Sequence, residues 1–182
     1  MKTLLPIIAV LFALHLAAAD HPEWSAKSLV KPKMCALCHS KAKLGDQQSV
    51  WEKGSHANAF ASLGTEKAKA IAAKQGISDP QKSGKCLSCH STAYGFGEKR
   101  VSTQVKPEDG VTCQSCHGPG KGYLAKHAKN RQLAIDKYGL VKPKAAECLR
   151  CHNSQSPTHD PTKSFDFAAY WARITHSLAA GK

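Results

Sequence analysis

The chain has 182 residues, with eight cysteines and a formal net charge of +13, the length of a single domain. The lysines that carry most of the charge are scattered, with no arginine-rich cluster, which favours a solvated surface over a nucleic-acid track or a membrane-binding patch. No nucleic acid is therefore expected among its partners.

In chain order, the first element is "MKTLLPIIAVLFALHLAAAD": one basic residue, Lys2, then an apolar run, then small residues ending at Ala17, Ala18 and Ala19. This is the pattern of a secretory signal cleaved before Asp20. The apolar stretch is shorter than the ~20 residues a membrane-spanning helix needs, and no later segment reaches that length. The expected organisation is a signal peptide over 1–19 and one domain over 20–182, exported to the periplasm, with no membrane span.

Cysteines in an exported chain ordinarily suggest disulfides, but here they fall as Cys35/Cys38, Cys86/Cys89, Cys113/Cys116 and Cys148/Cys151, each pair followed at once by His39, His90, His117 or His152. Cys-x-x-Cys-His is the attachment signature of c-type haem. Two thiols one helical turn apart bond the two vinyl groups of a porphyrin, and the adjacent histidine reaches the iron from the same side. Zinc sites and redox enzymes also use Cys-x-x-Cys, but zinc would leave four histidines unexplained. Four covalently bound haem c groups, each with its iron, are expected. The chain is rich in Ala, Lys and Gly and poor in large aliphatic residues, so the haems are expected to form much of the core of a mainly helical, irregular fold. A compact chain of this length has a radius of gyration of about 15 Å, which would hold the macrocycles close together. Haem propionates, about two negative charges each, would offset much of the basic excess.

The far side of each iron needs its own ligand. Met34 is joined directly to Cys35, and Met1 leaves with the signal, so bis-histidine ligation of comparatively low potential is expected. Among the remaining histidines, His21 beside the new N-terminus and His159 in the proline-bounded "SPTHDPT" read as surface residues. His56, in "SVWEKGSHANAFASL", shares or borders a helical face with Trp51, Ser55, Ala59, Phe60 and Leu63. His127 follows "GPGKGYLAK", whose glycines and proline turn the chain before a short helix, and could reach a neighbouring haem. His176 sits in "SFDFAAYWARITHSLAAG", expected as a helix capped near Ser164 and ended by Gly181. There Phe167, Tyr170, Trp171, Ile174 and Leu178 form an apolar stripe, and alanines surround His176 on the other side.

These segments resemble a known family. "CALCHS…VWEKGSHANAF", "KCLSCHSTAYGFG", "GVTCQSCHGPGKGYLAKH" and "ECLRCHN…FDFAAYWARITH" are similar, in order, to the tetrahaem cytochrome c-554 family. The resemblance implies haems stacked in near-parallel pairs and distal histidines at three positions. His56 would stand opposite His117, His127 opposite His39, and His176 opposite His152. It implies a periplasmic electron shuttle, in ammonia oxidisers between hydroxylamine oxidoreductase and a membrane-bound acceptor. The second haem, on His90, is five-coordinate in the best-known member; here His159 or His21 could close it.

The expected function is electron transfer through four haems between a donor and an acceptor redox protein. No acid, base or substrate pocket can be named, so no catalytic residue is assigned. Reduction of a small diatomic ligand such as nitric oxide at an open His90 haem is the alternative, with Tyr94 and Phe96 as pocket or packing residues. A second alternative is a subunit of a cytochrome filament, with an axial histidine such as His21 donated in trans.

Overall fold

The structure, a computed structural model, describes residues 28–95 and 97–177. The signal segment, His21, Phe96 and Leu178 lie outside the described residues. Within them the chain is helical and irregular, without a strand. Nine short α-helices are joined by turns: α1 (Lys33–His39), α2 (Gln47–Glu52), α3 (Ala59–Ser62), α4 (Glu66–Lys74), α5 (Gly84–His90), α6 (Cys113–His117), α7 (Arg131–Tyr138), α8 (Ala145–Cys148) and α9 (Phe167–Ile174). No described helix is long and apolar enough to cross a membrane.

Helices this short need their ends satisfied locally. Asp46 opens α2, adopting a left-handed φ of 46° and accepting a hydrogen bond from the Ser49 amide at 3.4 Å; aspartate tolerates that region because its side chain bonds nearby backbone. Thr65 caps α4, Asn130 caps α7 and Asp166 caps α9 in the same way. Gly139, at φ +75°, ends α7, where a side chain would be strained.

The core is small. Leu29, Ala93 and Val105 form a buried cluster against which Tyr94 packs. Polar groups hold the surrounding chain: Thr92 donates its amide to Gly110 O at 2.9 Å, and its Oγ1 accepts from the Thr112 amide at 2.7 Å and pairs with Ser115 Oγ at 2.7 Å. Buried Gln114 clamps two distant stretches, with Oε1 accepting from the Val30 and Gly120 amides and Nε2 donating to Val30 O. Meanwhile Met34, Leu37, Val50, Val101, Leu133 and Tyr170 are exposed.

Three expected helices take a different course. The helix expected through His56 breaks into α2 and α3: the Gly54 amide closes a turn onto Trp51 O, the Asn58 side chain donates to Gly54 O at 3.2 Å, and His56 lies between. The short helix expected before His127 is a run of turns, in which the Leu124 and His127 amides donate to Gly120 O and Tyr123 O. The last helix starts at Asp166 rather than Ser164, because the Asp166 carboxylate accepts from the Ala169 amide at 2.9 Å. It stops at Ile174, where Thr175 turns extended and the His176 ring donates Nδ1–H to Ile174 O at 3.0 Å, occupying one of the carbonyls a helix end leaves open. His176 therefore lies past the helix, not on its alanine face.

Candidate haem centres

The first pentad lies on α1, the second on α5, and the third forms α6, so in each the cysteines fall on one helical turn with the histidine at the last helical residue. In the fourth, Cys148 ends α8 and the chain continues as a turn, closed by the His152 amide on Cys148 O at 2.9 Å. Entry to α5 depends on Gly84, since a Cβ there would stand 1.7 Å from Glu98 O.

All eight thiols are free, and several meet across pentads. The Cys35 and Cys113 side chains interact, which pushes the Cys35 thiol up and draws Cys113 down. Cys89 and Cys151 do the same, with Cys89 lowered and Cys151 raised. Burial pushes Cys116 up to about 12, with the neighbouring Cys148 adding to it. The first pentad therefore abuts the third, the second abuts the fourth, and the third lies near the fourth.

Cys38 stands apart from the other attachment cysteines. It is exposed, whereas the other seven are half-buried. The reason lies in α1, a surface helix with no buried residue, whose Leu37, next to Cys38, is 62% exposed. Cys35, one turn earlier, is the member of the pair that meets the third pentad, and Cys38 is left at the solvent side.

The histidine rings come together in three pairs. His39 and His127 have ring centres 5.9 Å apart and planes within 10°. His56 and His152 stand at 6.2 Å with planes at 67°, and His117 and His176 at 6.0 Å and 64°. Two imidazoles ligating one iron from opposite faces, each nitrogen about 2 Å from the metal and each ring centre a little over 1 Å behind it, have centres roughly 6 Å apart. All three pairs fit an interposed iron. Among the described residues no group of three or more His, Cys, Asp or Glu side chains stands where it could hold a metal ion, so such an iron would draw its other ligands from a porphyrin.

The protonation pattern suits ligation. His39, His90, His117, His127 and His176 each donate Nδ1–H: to Gln47 Oε1 at 2.9 Å, Ala59 O at 2.8 Å, Val141 O at 3.0 Å, Tyr123 O at 3.0 Å and Ile174 O at 3.0 Å. A ring that donates from Nδ1 keeps Nε2 bare for a metal. Burial lowers the pKa of His56, His117 and His152, favouring the neutral form a ligand requires. His56 is fixed through its backbone: His56 O accepts from the Val111 amide at 3.0 Å, beside Gly110 at φ +66°. A Cβ at Gly110 would meet Ala57 O at 2.7 Å and His56 O at 2.9 Å.

The structure brings together His39 and His127 as the resemblance implied, but the other two partnerships are exchanged. His56 meets His152 rather than His117, and His176 meets His117 rather than His152. His56 lies in the break after α2, and His176 lies past the end of α9. Phe165 and Tyr170, with ring centres 5.4 and 5.5 Å from that of His152, occupy ground expected for His176. No ring stands against His90 among the described residues. His159 is exposed, its amide bonded to Ser156 O. Tyr94 packs in the core cluster. Sequence inspection missed Gln47, whose side chain supplies the Nδ1 acceptor of His39. It is one of two adjacent glutamines and carries no motif.

A helical, strand-poor chain with repeated Cys-x-x-Cys-His helices and paired histidines defines a multihaem c-type cytochrome. Residues 34–118, a little under half of the chain, match the family described as cytochrome c554 and c-prime. It is similar to a cytochrome c-554 of Nitrosomonas europaea, 34% identical over 122 residues that take in 62% of this chain and 47% of that protein. The chain thus spans about half the length of that relative. No solved structure matches it. These likenesses point to c-type haem and electron transfer through it.

Proposed function

We propose that the protein is an exported, periplasmic tetrahaem cytochrome that relays electrons between a donor and an acceptor redox protein. Residues 1–19 act as the signal and 20–182 as the haem-bearing domain. The carrying observation is the recurrence of a ring-to-ring distance near 6 Å in three histidine pairs. The cysteine pairs anchor the porphyrins, with Cys38 holding the first at its solvent edge. His39, His90, His117 and His152 are the proximal ligands, and His127, His176 and His56 are the distal ligands for His39, His117 and His152. Bound haem supplies reversible one-electron chemistry. The chain's own part is to fix ligand identity and orientation through the Nδ1 bonds, and to set the attachment edges side by side through the Cys35/Cys113 and Cys89/Cys151 contacts.

A second reading concerns the haem at His90. With no ring opposite His90 among the described residues, that iron keeps a position for a diatomic ligand such as nitric oxide. Electron paramagnetic resonance of the ferric holoprotein tests both readings. Three low-spin irons and one high-spin iron are expected, the latter giving a nitrosyl signal when the reduced protein meets nitric oxide. Four low-spin irons would close the His90 site and leave an electron carrier alone. Fewer than four haems by pyridine haemochrome would overturn the tetrahaem assignment.

A further inference from the structure

We propose that Gln47 is a positioning residue that sets the ligand strength of His39 and ties it to the segment carrying His176, so that one amide governs two haem centres. The inference rests on haem being bound at the first and third pentads. Gln47 is buried at the start of α2. Its Nε2 contacts Leu44 O and also Ser177 O, the latter at 2.8 Å, while its Oε1 faces His39 Nδ1 at 2.9 Å. Backbone carbonyls only accept hydrogen bonds, so the NH₂ end must face Leu44 and Ser177 and the oxygen must face His39. His39 Nδ1 is then the donor, and Nε2 is left bare toward His127. The residue that chooses this tautomer also pins Ser177, next to the ring facing His117. The nearest acceptors for His90, His117, His127 and His176 are backbone carbonyls, which no substitution removes directly, although Ser62 Oγ also lies 3.4 Å from His90 Nδ1. Through Gln47, sequence can tune a proximal ligand without touching the ligand.

The test uses wild-type, Gln47→Glu and Gln47→Leu holoproteins. Haem content and the spectrum of the His39/His127 haem, assigned by its loss of low-spin signal in a His127→Gly variant, are established first in wild type; failure there sinks the haem assignment, not the role of Gln47. Glutamate places a charged acceptor on His39 Nδ1–H, which strengthens donation to the iron; it also removes the NH₂ bonds. The His39 haem should shift to lower potential, and the Ser177 segment should loosen, seen as part of the His117 haem turning high-spin. Leucine removes the acceptor, so the His39 haem should shift to higher potential and its g values should change. A residue that merely filled space would leave potentials and g values unmoved, and that result overturns the proposal. So would equal shifts in all haems, or loss of haem from every pentad in both variants, which would make Gln47 a folding residue.

Discussion

The stretch from 91 to 117 and the stretch from 143 to 177 each carry a pentad, yet they are built on opposite terms. In the first, Ser91, Thr92, Ala93, Ser102, Val105, Thr112, Gln114 and Ser115 are all buried and stitched together by bonds such as Thr92 to Gly110 and Ser115. In the second, no described residue is buried; its aromatic residues gather around His152 instead. A chain with little apolar mass can fold one region on its own polar network and leave another to be organised by what its histidines and cysteines bind. The first region is then scaffold, and the second is held mainly through its ligands.

The contrast would be broken most severely by removing the fourth attachment. In Cys148→Ser/Cys151→Ser, haem content should fall from four per chain to three, and amide hydrogens over 143–177 should exchange rapidly while those over 91–117 stay protected. Equal loss of protection in both regions would show that they fold as one unit. A smaller perturbation, His176→Ala, should convert about a quarter of the ferric iron to high-spin. The hyperfine-shifted proton resonances of His117 should change and those of His152 should not; the reverse would restore the partnership first implied by the family. Smallest is Thr92→Val, which keeps the shape but strips a buried acceptor from the Thr112 amide and a partner from Ser115. It should cost about 1–3 kcal/mol, read as a lowered denaturant midpoint. Thr162→Val removes an exposed hydroxyl bonded to Asp160 Oδ1 and should leave that midpoint where it was.

The pentads and the all-helical class were legible in the sequence because each depends on neighbours within one or two turns: Cys113, Cys116 and His117 form their own helix. His127 lies beside His39, the partner that the resemblance implied. What resisted was anything decided across the chain. Helical periodicity around His56 ignored the turn at Gly54, and an apolar stripe from Phe167 to Leu178 gave no sign that Thr175 would go extended. The exposure of Cys38 was equally hidden, since its pentad reads like the other three and only the packing around α1 sets it apart. Nothing local marks Gln47, whose partners sit at positions 39 and 177. Likewise the hydroxyl of Thr92 matters only because Thr112 and Ser115 arrive beside it.

The three histidine pairs also overlap along the chain. The interval from 39 to 127 is still open when that from 56 to 152 begins, and the one from 117 to 176 starts before either has ended. A polypeptide emerging amino end first presents His39, His56, His90 and His117 before any pair is complete. Irons captured early would wait half-ligated until His127, then His152, then His176 came into reach. With haem bound as proposed, each completed pair would act as a staple across a long loop. Under the proposed ligation the set would close last at His176, the residue of the three pairs furthest along the chain.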